Sequence, residues 1–177
     1  MLVDGKWEGD WQQRTRSNAQ GRFVREELGN DDSIETLKIR FSSFRTYWRN
    51  TIGLSVSYDT SFGSSGEVEL LNNIGGFGRL SGFERDSIVG PHTGVARLIG
   101  YRRIVSPAIF AWEFPVYFGG QVEAGNAWQQ RDDLEHDLRY SAGPFFGVDT
   151  PIGPLYLAYS YGEGGEHQGY LFLGQSF

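Results

Sequence analysis

The chain of 177 residues is long enough for one domain with its own core, and a formal charge of -6 with acids and bases interspersed removes the electrostatic footprint of a nucleic-acid binder. No run approaches the eighteen or so apolar residues of a membrane helix. That excludes helical spanning but not a β-barrel, whose strands need only about 9 to 11 residues with half of them facing a polar lumen.

Met1 to Gly5 has neither the basic nor the apolar region of a signal peptide. Residues 1–32 are the least regularly patterned part, with strand candidates near Val3 to Trp11 and Gly21 to Leu28. Val3, Trp7 and Trp11 stand against Asp4, Lys6, Glu8 and Asp10. Beyond the turn formers Gly29 to Asp32, alternation is clean. Leu37, Ile39 and Phe41 oppose Lys38, Arg40 and Ser42; Ile52, Leu54, Val56 and Tyr58 oppose Thr51, Gly53, Ser55, Ser57 and Asp59. Period two predicts strands, and charges of both signs on the second face suit a wet lumen better than a sandwich core.

After a second group of turn formers, Gly63 to Gly66, comes a glycine-dense segment with four charges, Gly75 to Asp86. It is too long for a hairpin turn. It reads either as a mobile surface loop or as a loop folded into the lumen, where glycines would permit close approach and charges would find partners. In the inward case Arg79 and Arg85 are expected to pair with a lumen acid, with Glu123 the leading candidate.

Ile104 to Pro115 is long and apolar for a turn. Val116, Phe118, Val122 and Ala124 then oppose Tyr117, Gln121 and Glu123. Trp128 to Asp137 is a polar connection, Asp149 to Pro154 a turn, and Glu163 to Gln168 another polar connection. Leu155, Leu157, Tyr159 and Tyr161 share one face of a strand in the closing hairpin, Gly143 to Phe177. A face of leucines ending in tyrosines suits a strand that meets lipid and reaches the headgroups. Eight to ten strands follow for a single domain over residues 1–177, with the short turns expected at one end and the polar loops at the other.

Five ordered stretches carry a resemblance: Gly75 to Asp86, Gly94 to Arg103, Tyr117 to Trp128, Asp149 to Leu157 and Tyr170 to Phe177. Together they resemble the bacterial surface antigen superfamily, the barrels of outer-membrane assembly factors and two-partner secretion transporters. The nearest branch is the barrel of patatin-like outer-membrane proteins of the autotransporter type. The resemblance implies an all-β, antiparallel transmembrane barrel in the outer membrane of a Gram-negative bacterium, acting as membrane anchor or as translocation or assembly unit. It implies that Arg79, Leu80, Ser81, Gly82, Phe83 and Arg85 form the tip of a lumen-seeking loop. Most members carry arginine where Ser81 stands, so Arg79 or Arg85 would have to supply the latch to an acid. Leu171, Leu173 and Phe177 resemble the sorting signal read by the barrel-assembly machinery.

The family barrel has sixteen strands, so the chain matches its C-terminal half, and a homodimer pairing open edges would restore the size. Covalent chemistry is not expected. No Gly-x-Ser-x-Gly occurs, and His92, His136 and His167 fall in predicted loops with no serine placed beside them. The acids Asp132, Asp133 and Glu135 around His136 read as a solvated loop, and no cofactor or metal is expected. The alternatives are a small closed outer-membrane barrel, structural or lipid-active, and a soluble all-β binding module.

Overall fold

The computed structural model describes residues 13–28, 32–63, 71–109, 112–129 and 137–174. Twelve strands appear there: β1 (Gln13–Leu28), β2 (Asp32–Tyr47), β3 (Asn50–Gly63), β4 (Asn72–Ile74), β5 (Ile88–Gly90), β6 (His92–Val105), β7 (Ala108–Ile109), β8 (Trp112–Glu113), β9 (Val116–Trp128), β10 (Arg139–Thr150), β11 (Gly153–Gly162) and β12 (His167–Leu173). Eight of them form one antiparallel sheet in the order β1-β2-β3-β6-β9-β10-β11-β12. The chain is all-β. Among the described residues β1 and β12 each have one neighbour, so the sheet is open where a closed barrel was one expectation.

Strand direction corrects one sequence expectation. The C-terminal end of β12 shares its side with the turn at Trp48 and Arg49, the connection 106–115 and the turn at Pro151 and Ile152. Leu28, Asp32 and Gly63, the strand ends that flank the turn formers, therefore lie at the opposite end, with the connection from β11 to β12. Composition alone could not say at which end, because sidedness depends on counting every strand. The apolar stretch from Ile104 to Pro115 contains the small hairpin β7–β8.

Period-two alternation gives the sheet two unlike faces. Outward lie Ile39, Phe41, Ile52, Leu54, Leu98, Phe118, Val122, Leu157 and Leu171, all more than two-fifths exposed. Inward, register builds polar rows across the strands, one of which runs Asn18, Ser42, Ser55, Arg97, Glu123, Ser141. The buried side chains lie on this inner face, covered by the excursion 71–91 between β3 and β6. Ile74, Leu80, Phe83 and Ile88 of the excursion pack on Val95. Nearer the turn end, Ile99, Phe145 and Ala158 form a second cluster with Phe44, Phe77 and Tyr170 around it. The core of this protein is therefore a loop laid on a sheet.

Candidate functional site: a loop tip latched to the polar face

The excursion is rooted before it reaches the sheet. β4 pairs with β5, and the Asn72 side-chain amide donates to Ser61 Oγ and to the Pro91 carbonyl, both at 2.9 Å. The root is thus tied to the end of β3 and the start of β6. From there Gly75 and Gly76 turn the chain with φ of 119° and 92°, a region few side chains tolerate.

At the tip the backbone does what an arginine was expected to do. The Ser81 N–H donates to Glu123 Oε2 at 2.5 Å, and the Ser141 hydroxyl donates to the same oxygen at 2.7 Å. Ser141 Oγ in turn accepts from the Gly82 N–H at 3.1 Å. Ser81 Oγ accepts from Gln121 Nε2 at 2.7 Å and from the Gly78 N–H at 2.8 Å. The Tyr170 hydroxyl, from the far edge, donates to the Ser81 carbonyl at 2.7 Å. Ser81 is fully buried and Glu123 nearly so. A hydrogen bond to a charged acceptor in such a place contributes about 1.5 to 3 kcal/mol, roughly twice a neutral one.

Three further features hold the tip. Leu80 is buried with φ of 68°, a left-handed conformation that leucine adopts only when its surroundings over-determine it. Gly82 lies so close to Gly162 of β11 that a Cβ on it would collide with the β11 backbone. Arg139 sits 5.6 Å over the Phe83 ring, and Arg97 at the same distance over Phe77.

The loop arginines take other partners than Glu123. Arg79 pairs with Asp59 at 3.4 Å, on the oxygen that also receives Arg40 at 3.5 Å. Arg85 is 88% exposed and pairs with its neighbour Asp86 at 3.4 Å, facing solvent. The reason is geometric: Glu123 lies beneath the tip backbone, and Arg79 projects sideways toward β3. The motif residues from Arg79 to Phe83 are thus brought onto the polar face with Glu123, and Arg85 is not.

No protein-family model, curated protein or solved structure matches the chain. The site rests on its own geometry.

Sequence reasoning did not single out Asp59, Gln121, Ser141 or Tyr170 as latch partners. Parity marked Asp59 and Gln121 as inward residues, but only register shows that Glu123 and Ser141 share a row beneath Ser81. Leu171 and Leu173 stand exposed on the outward face of β12, and Phe177 lies outside the described residues. Among the histidines, His92 is not in a loop: it begins β6, buried, with Nδ1 at 2.6 Å from Thr60 Oγ1. His167 begins β12 and is exposed, and His136 with its acidic neighbours lies outside the described residues. Among the described residues no three His, Asp or Glu side chains gather as a metal site would require.

Proposed function

We propose that this chain is an outer-membrane β-barrel unit of the surface antigen type, a non-enzymatic membrane anchor or translocation and assembly element in a Gram-negative bacterium. The observation that carries the reading is the inversion of the two faces. Large apolar side chains stand outward on every strand from β2 to β12 of the eight-stranded sheet, while buried acids, hydroxyls and amides line the inner face beneath a latched loop. A water-soluble sheet would bury the apolar face and leave the polar one wet. Aromatics stand outward at both strand ends, Tyr47 and Trp48 at one and Tyr140 and Tyr161 at the other, as headgroup girdles would. Seven of the eight strands are 10 residues or longer, enough to cross a bilayer when tilted.

Open edges cannot face lipid, because each unpaired backbone group costs several kcal/mol there. The inner loop argues against closure of these eight strands alone, since a barrel of that size is filled by its own side chains. A homodimer meets both conditions. β12 runs toward the end from which β1 departs, so β12 of one copy would lie antiparallel to β1 of the other, each edge satisfied twice by a twofold axis. In this reading Leu171, Leu173 and Phe177 are what the barrel-assembly machinery reads. The test is refolding from urea into detergent and into plain buffer, with molar mass from light scattering. A strand-rich dimer in detergent alone supports the proposal, and a monodisperse monomer in plain buffer would favour the soluble all-β module instead.

A further inference from the structure

The latched loop covers only part of the inner face. Beside its tip, toward β1, a pocket of about 260 Å³ remains beneath Gly78 and Arg79. Three guanidinium groups line it, Arg40 of β2, Arg79 of the loop and Arg97 of β6, together with the hydroxyls of Ser42, Ser55 and Ser57. Toward the turn end it adjoins a wider cavity of about 450 Å³, with which it shares Asn18, Ser42 and Arg97.

The charges are unbalanced in a way that specifies the ligand. Arg40 and Arg79 both end on one oxygen of Asp59, at 3.5 and 3.4 Å, so the two cationic nitrogens lie within about 7 Å of each other. Each guanidinium carries five N–H donors, and one shared oxygen occupies few of them. The side chains of Arg40 and Arg79 are 50% and 36% exposed, against 4% for Asp59, so the cations reach the pocket and their common acid does not. Glu123 faces Arg97 in register and offsets its charge, so three guanidinium groups stand against two carboxylates, those of Asp59 and Glu123. Asn18 also lines the pocket, and its carboxamide oxygen is buried without a hydrogen-bond partner among the described residues.

We propose that this pocket binds a phosphate-sized oxyanion, which bridges Arg79 of the loop to Arg40 of the wall and so ties the loop to the β1–β3 half of the sheet. Planar guanidinium forks grip such an anion through paired N–H donors, and the serine hydroxyls complete its shell. The shared chemistry is a phosphate group, whose source is either the free ion or a lipid headgroup. The site belongs to the folded sheet and loop, and does not require the membrane reading.

The test is thermal unfolding of the full chain, in whichever medium holds it folded, against inorganic phosphate and, separately, short-chain phosphatidic acid, with chloride at equal ionic strength as control. At about ten times the dissociation constant the unfolding temperature should rise by about 3 °C. A response to inorganic phosphate assigns the free ion; a response to phosphatidic acid alone assigns the headgroup. Arg40→Gln should abolish the response. Ser57→Asp, which sets a carboxylate opposite Arg40 in register, should raise the unfolding temperature without ligand and also abolish the response. A wild-type chain indifferent to both probes, or a response that survives Ser57→Asp, would overturn the site. A soluble chain that still binds phosphate would defeat the membrane proposal and leave this one standing.

Discussion

Glu123→Ala and Glu123→Gln separate what the buried carboxylate does for the latch. One oxygen of Glu123 accepts from both the Ser81 N–H and the Ser141 hydroxyl, at 2.5 and 2.7 Å, on a residue only 3% exposed. Glutamine keeps the shape and one carbonyl oxygen. Like alanine it removes the negative charge that Arg97 faces, but in the latch it loses only the charge assistance, about 1 kcal/mol for each bond, or about 2 kcal/mol together. Alanine removes the acceptor. The Ser81 N–H is then buried without a partner and Arg97 loses the acid it faces across the β6–β9 pair. Breaking such a buried arrangement on one side costs about 3 to 5 kcal/mol. For a chain of this length, where 1 kcal/mol shifts the midpoint by about 2 to 4 °C, alanine should lower the unfolding temperature by about 10 °C and glutamine by about half as much. Circular dichroism melts read the shifts, and proteolysis between residues 75 and 86 reads the undocking. An alanine variant within about 0.5 kcal/mol of wild type, with the loop still protected, would refute the latch.

Three other substitutions probe the rest of the site. Arg79→Ala should destabilise by about 1 kcal/mol through loss of the Asp59 pair, whereas Arg85→Ala, at a solvated ion pair, should change the unfolding midpoint by less than about 0.5 kcal/mol. Equal effects would mean that the two arginines are placed alike. Gly82→Ala introduces a Cβ into the β11 backbone at Gly162 and should expose the loop to protease without loss of strand signal. Deleting Phe177 should slow assembly in cells far more than it weakens the assembled protein, and unchanged assembly rates would remove Phe177 from the proposed signal.

Much of this architecture is legible in sequence because a strand advertises its two faces in alternate residues. The segments 37–42, 51–59 and 116–124 reveal which side chains travel together, and the structure keeps those sets on separate faces. Alternation does not reveal row, because register is set by turns and bulges distant from the residue concerned. Glu123 was therefore visible as an inward acid, while its position beneath Ser81 and beside Ser141 was not. Arg79 shows the same limit: its charge called for an acid, but the choice of Asp59 over Glu123 depends on the way the tip turns through Leu80 with φ of 68°. Residues 13–28 were the hardest to read. The positions in phase with Phe23 include Thr15, Ser17, Arg25 and Glu27 and make no apolar run, yet the strand pairs with β2 along its full length.

In the proposed function the apolar face meets lipid and the polar face meets water or loop. Single spin labels placed on the refolded, liposome-reconstituted chain test it directly. Labels replacing Ile52, Leu54 and Leu157 on the outward face should be relaxed by oxygen, which concentrates in the bilayer, and not by a water-soluble nickel chelate. Labels replacing Ser55 and Ser57 on the inward face should respond the opposite way. Nickel accessibility at Ile52, Leu54 and Leu157 equal to that at Ser55 and Ser57 would contradict the account, because no orientation of this sheet in a bilayer puts both faces in water.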